Sequence, residues 1–207
     1  MIYLTSDLHL GHSNIMKHCK RPFNSVEEMN ENIIKNINYM VRPNDELYIL
    51  GDLYFGEKQT INTFEYAKKI KCKHIHLIKG NHDMSYKDLI KLNEENKVFE
   101  TISLYKEINY EKRKIVLCHY PFMDNAWNKA MHGSIDLHGH IHSNSNYNNE
   151  QKEKGILRYD VGVDANNYYP VLLDDILEFF KDVDLNKNGY QGKSKKRRRS
   201  NRGRAGD

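Results

Sequence analysis

The sequence predicts an α/β fold, with a parallel sheet and crossover helices in the first half and a second, more antiparallel sheet after it. Two patterns carry that expectation. Apolar runs at residues 2–5, 47–50 and 76–78 alternate with two stretches of helical period, and strand, helix, strand, helix, strand is the order of a parallel sheet. Beyond residue 98 the helical period gives way to closely spaced strand-like runs with short polar breaks, which favour neighbouring pairs. A third observation places the chemistry. Five apolar runs end in polar clusters: Asp7-Leu8-His9, Gly51-Asp52, Gly80-Asn81-His82-Asp83, His119, and Gly139-His140-Ile141-His142. In open α/β sheets, strand ends are where ligands bind.

Taken in order, the first strand runs into Asp7, and residues 8–21 read as a loop or short helix carrying Gly11-His12-Ser13-Asn14. Ser25 starts the first long helix, with Glu28 three residues on completing a capping box, and Val26, Met29, Ile33, Ile37, Met40 and Val41 fall on one face. Arg42-Pro43-Asn44-Asp45 is a turn before the second strand. Residues 58–71 repeat the helical period through Ile61, Phe64, Ala67 and Ile70, and residues 85–92 read as a short helix capped by Ser85. Strands are expected at 98–105, 107–110, 114–118, 135–138 and 157–163, an Asn-rich loop at 143–155, and a last helix at 174–183.

The 207 residues fit one domain with a substantial core, expected over 1–185, followed by a basic tail at 186–207. From residue 187 onward nine Lys or Arg stand against one acid, leaving 23 basic and 27 acidic groups before it, a net of −4. The tail has too little apolar surface to offset its ordering entropy, and its charge suits a nucleic acid or another polyanion as well as a merely solvated end. With 39% hydrophobic and 29% charged residues, and no apolar run near the roughly 20 residues that cross a bilayer, no membrane role is expected. The first residues enter a strand without a signal-like pattern, so a cytoplasmic setting is expected. Cys19, Cys72 and Cys118 lack zinc-knuckle spacing and read as buried thiols.

The five clusters, in this order and spacing, resemble the calcineurin-like metallophosphoesterases over about residues 1–180. The resemblance implies a sandwich of two mixed β-sheets flanked by helices, with a metal site at the C-terminal ends of strands. It implies a first ion held by Asp7, His9, Asp52 and His142, and a second held by Asp52, Asn81, His119 and His140, with Asp52 as the bridge. It also gives His82 the task of stabilising or protonating the leaving oxygen, oriented by Asp83. Many relatives carry another acid after the Gly-Asp motif, where this chain has Leu53-Tyr54-Phe55-Gly56. Further stretches, Arg21-Pro22-Phe23, Tyr120-Pro121-Phe122 with Trp127, and Val161-Gly162-Val163-Asp164, resemble small stand-alone members of bacteria and their phages.

The residue types suit that chemistry. Phosphoester hydrolysis at neutral pH needs a strong nucleophile and a sink for negative charge, and two divalent ions about 3.5 to 4 Å apart supply both. Mixed oxygen and imidazole ligands suit Mn, Fe, Zn or Ni, with Mn the leading expectation. Doublets two residues apart at a strand end project to one side, and glycine before Asp52, Asn81 and His140 lets the backbone approach closely. His12 and Arg21 are candidates to reach the substrate phosphate, the alternative being a loop hydrogen bond for His12 and a structural salt bridge for Arg21.

The expected function is hydrolysis of a phosphomonoester or a small, cyclic-nucleotide-like phosphodiester. The alternatives are a nuclease or nucleic-acid end-processing phosphatase, suggested by the basic tail, and a catalytically silent binding module. All seven ligand positions and His82 are filled, which speaks against the last.

Overall fold

A computed structural model describes residues 1–122 and 133–183. Two sheets pack face to face. The first contains β1 (Ile2–Thr5), β2 (Glu46–Ile49), β3 (His74–Ile78), β4 (Phe99–Ser103) and β9 (Val171–Leu172), in the order β4-β3-β2-β1-β9. Its strands are parallel except β9, which pairs antiparallel with β1. Parallel neighbours need crossovers, supplied by α2 (Val26–Met40), α3 (Gln59–Ala67) and α4 (Tyr86–Asn96). The second sheet contains β5 (Tyr105–Tyr110), β6 (Arg113–Cys118), β7 (Ile135–His138) and β8 (Arg158–Asp160), in that spatial order.

Period-two alternation in the first sheet builds two cores. Tyr3, Leu47, Ile49, Ile75 and Leu77 face a layer that includes Ile33 and Ile37 of α2, Phe64 of α3 and Leu89 of α4. Leu4, Tyr48, Leu50 and Ile78 point the other way, onto Ile115, Leu117, Ile135 and Leu137 of the second sheet. A sheet covered on both faces reads as near-continuous apolar runs rather than polar alternation, as β1 and the end of β2 do. Each fully buried Leu or Ile contributes ~1.5–3 kcal/mol, so the strands are held from both sides and their ends are fixed.

Local signals set the helices. Ser25 Oγ accepts from Glu28 N at 3.1 Å, and Ser85 Oγ accepts from Asp88 N at 3.1 Å, each cap contributing ~1 kcal/mol. The Glu28 carboxylate reaches past the cap to the Asn24 N–H at 2.8 Å, so the expected capping box closes one residue early. Met29, Ile33, Ile34 and Ile37 are the buried stripe of α2.

Several expectations are corrected. The second sheet is not mainly antiparallel: only β5 and β6 pair that way, while β6, β7 and β8 run parallel. The run at 98–105 is two strands. It breaks at Leu104, where the chain passes from β4, parallel to β3, into β5 of the other sheet. The Asn-rich stretch at 143–155 contains α5 (Tyr147–Glu153), which buries Asn148 and Gln151 through polar contacts instead of an apolar stripe. Within residues 8–21, α1 spans Ser13–His18, and α6 spans Leu173–Phe179. The basic tail and Trp127 lie outside the described residues. Among the described residues no helix is long and apolar enough to cross a membrane.

Candidate metal centre

The C-terminal ends of β1, β2 and β3 from one sheet and of β6 and β7 from the other meet at one place. Backbone bonds knit the segments beyond the strands. Asp7 N donates to Gly51 O at 3.0 Å, His9 N to Asp52 O at 2.9 Å, and Gly139 N to His119 O at 3.0 Å. Asp7, His9, Asp52 and His119 are buried, His142 is half-buried, and Asn81 and His140 are exposed.

The doublets converge, though not through strand geometry. Asp7 and His9 lie past the end of β1 with φ of 58° and 49°, and His140 and His142 lie past β7 with φ of 71° and 46°. Asp52 is also left-handed, at φ 54°. Such conformations cost non-glycine residues about 1–3 kcal/mol each and cluster at functional sites. Close approach also explains two glycines. A Cβ on Gly80 would sit 2.2 Å from Asp52 Oδ1, and one on Gly139 would sit 2.3 Å from Asp7 Oδ2.

Asp52 is the centre of the cluster. His9 Nε2 and His119 Nε2 each stand 3.5 Å from the same oxygen, Asp52 Oδ2, while Asp52 Oδ1 accepts from His82 N at 2.8 Å. On one side, donor atoms of Asp7, His9 and His142 lie within 4.8 Å of one another, as do those of Asp7, Asp52 and His119. On the other, Asn81 Oδ1 lies 2.8 Å from His119 Nε2 and 2.9 Å from His140 Nδ1. All seven expected ligand residues are therefore brought together.

Charge and hydrogen bonding favour a cation here. His9 Nε2 is buried with no hydrogen-bond partner. Burial, reinforced by His142, Arg21 and the neighbouring imidazoles, pushes His9 down to about 2, and burial pushes His119 down to about 4, so both are neutral near pH 7. The one proton of neutral His119 goes to Leu50 O at 2.7 Å. Its Nε2 then presents a lone pair to Asn81 Oδ1, an acceptor facing an acceptor, which a bound cation would turn favourable. Burial raises Asp7 well above the usual carboxylate range, and burial raises Asp52 as well. Two buried carboxylates with imidazole lone pairs beside them fit a divalent metal.

One expected role is corrected, and for Arg21 the salt-bridge alternative is the one the geometry favours. Asp83 does not orient the His82 ring: its carboxylate accepts from Gly80 N at 2.8 Å, Asp52 N at 2.9 Å and Leu53 N at 3.0 Å. It fixes the backbone on both sides of the site. Arg21 does not reach toward substrate: its side chain is 0% exposed and forks onto Asp164 at 2.8 Å through both Nε and Nη2. His12 is half-buried at the rim, its Nδ1 3.3 Å from His9 Nδ1. The His82 ring stands beside it, and Phe55 lies edge-on to both, with ring centroids 4.8 Å away in each case.

Sequence reasoning assigned no role to Asp164, whose Oδ2 takes the Nδ1 proton of His142 at 2.7 Å. Burial alone would lower His142, but Asp164 and Cys19 lift it to about 10. A signal existed: the apolar run at 157–163 ends in Asp164, as the other runs end in ligands.

This is an α/β protein with donors for divalent metal gathered at its strand ends. Residues 1–162 match the calcineurin-like phosphoesterase superfamily domain, and the chain belongs to that family, whose members typically use divalent metals. It is 37% identical over 185 residues to the uncharacterized protein MJ1445 of Methanocaldococcus jannaschii, covering 87% of this chain and 91% of that one. It is 29% identical over 161 residues to the Gene 66 protein of Mycobacterium phage L5, covering 68% and 77%. The crystal structure of AQ665 from Aquifex aeolicus, a protein of unknown function, is similar at a TM-score of 0.67 and 25% identity, covering 86% of this chain and 98% of that one.

Proposed function

We propose that the protein is a dinuclear metal-dependent phosphoesterase acting on a phosphomonoester or a small, cyclic-nucleotide-like phosphodiester. The observation that carries the reading is the pair of imidazole nitrogens equidistant, at 3.5 Å, from Asp52 Oδ2. That oxygen is placed for sharing. Asp7, His9, Asp52 and His142 would hold one ion, and Asp52, Asn81, His119 and His140 the other, with manganese the leading candidate for both. Bound there, divalent ions would acidify a water and neutralise phosphoryl oxygens.

The chain's own groups do the rest. The half-buried His82 imidazole stands beside His9 at the mouth, with ring centroids 5.2 Å apart, and it delivers a proton to the leaving oxygen. Asp83 acts through the backbone, holding Asp52 and Gly80 in register. The exposed Asn81 and His140 leave the phosphate an approach from solvent, whereas buried Asp7 and His9 close the opposite side.

The test is purified full-length protein with Mn²⁺, assayed against p-nitrophenyl phosphate, bis-p-nitrophenyl phosphate, cyclic nucleotides and single-stranded oligonucleotides. Metal-dependent turnover of at least one small ester is expected. Absence of turnover on all of them, with metal bound, overturns the reading. Turnover confined to oligonucleotides would replace it with a nuclease.

A further inference from the structure

We infer that Arg21 and Asp164 act together as positioning residues, presenting His142 and the Asp7 backbone to the metal cluster; this rests on the metal reading above. The five N–H groups of Arg21 are all engaged. Nε donates to Asp164 Oδ1 at 2.8 Å and Nη2 to Asp164 Oδ2 at 2.8 Å. Nη2 also donates to Asp7 O at 2.7 Å, and Nη1 to Leu8 O at 2.9 Å and to Met29 Sδ at 3.5 Å. One guanidinium thus clamps two successive carbonyls, of Asp7 and Leu8, while it also holds a carboxylate from 143 residues further along the chain.

Asp164 passes the constraint on. The Oδ2 held by Arg21 also takes the Nδ1 proton of His142 at 2.7 Å. With Nδ1 occupied, the nitrogen left for a ligand role is Nε2, and His142 is one of the group formed by Asp7, His9 and His142. An imidazole fixed by a carboxylate on its far nitrogen is the usual way a metal-ligating histidine is held in one tautomer and orientation. Asp7 and His142, the two residues the pair acts on, both hold left-handed backbone angles, at φ 58° and 46°.

Stability is a poor explanation for the pair. A buried ion pair gives little net stabilisation over a well-packed apolar pair of similar volume, and the fork geometry used here is one that lysine cannot reproduce. Apart from the Nη1 contact to Met29 Sδ, the pair's hydrogen bonds beyond itself end on a candidate ligand or on the backbone beside one.

The experiment measures Zn²⁺ affinity of the metal-free full-length protein by competition with a chromogenic chelator, for wild type, Asp164→Asn and Arg21→Lys. Ile37→Ala, a core change in α2 away from the site, is the control for loss of stability. The two site variants should fold, by circular dichroism, and bind Zn²⁺ about 10- to 100-fold more weakly. Ile37→Ala should melt earlier with wild-type affinity. Site variants that melt earlier yet keep wild-type affinity overturn the inference. A second measurement needs no variant: ¹⁵N–¹H NMR of the Zn²⁺-loaded wild type should show His142 protonated at Nδ1 and ligating through Nε2. Ligation through Nδ1 overturns the inference, and it decides the matter if the variants fail to fold. Wild type that binds no Zn²⁺ would overturn the metal reading as well, which separates that failure from this one.

Discussion

Asp7, Asp52 and His119, at the floor of the site, are each held by hydrogen bonds from a distant strand end, through His140 N, His82 N and Leu50 O respectively. At the rim, His12, His82 and Phe55 meet one another mainly through ring contacts. The floor is over-determined: its residues are buried and wedged against glycines that admit no side chain, and Asp7 and Asp52 hold left-handed backbone angles. The rim has room to vary. On the proposed reading, the contrast assigns metal binding to the scaffold of both sheets and the choice of leaving group to a few loop side chains.

His119→Ala tests the floor and should have the largest effect. It removes a nitrogen that faces both Asp52 Oδ2 and Asn81 Oδ1, so turnover of any small ester should fall below detection while circular dichroism stays native. Near-wild-type turnover with metal present would erase the distinction between floor and rim. His82→Gln should lower turnover by about 10² to 10⁴ with metal content unchanged by elemental analysis. The loss should shrink for esters with good leaving groups, which need no proton. If metal is lost from this variant, His82 belongs to the floor.

Phe55→Ala should change turnover by less than about tenfold, ~1.4 kcal/mol, with an effect that differs between aryl and alkyl esters, because the ring meets the His12 and His82 imidazoles edge-on and carries no polar group. A loss as deep as that of His82→Gln would make Phe55 part of the proton-delivering unit. The smallest effect is expected from ending the chain at Asn186: hydrolysis of a chromogenic ester should not change. If the tail contacts nucleic acid, the same truncation should weaken oligonucleotide binding and flatten its salt dependence. Equal binding across a salt titration would leave the tail a solvated end.

The floor was the more legible of the two regions. Its residues follow apolar runs and glycines, and five such junctions in one chain are difficult to produce by core packing, since Asp, Asn and His need partners when buried. The first sheet was legible for a related reason, as β1 and β2 carry apolar residues on both faces and β3 ends in Leu77-Ile78. What escaped was set by partners far away in sequence. Arg21 could not be read as a clamp without Asp164, and Asp83 could not be read as a backbone tie without the β2 end. The passage at Leu104 is one residue long and leaves no turn signal. The two-residue β9 shows no period, and α5 is buried through Asn and Gln.

If Asp52 is shared between two ions, as proposed, the count of bound metal depends on it. Wild type and Asp52→Asn are stripped of metal, reloaded with Mn²⁺ and freed of excess, and bound manganese per chain is measured by elemental analysis with circular dichroism as the check on folding. On that reading, two ions per chain are expected in wild type and at most one in the folded variant. One ion in wild type, or two retained in Asp52→Asn, would contradict it.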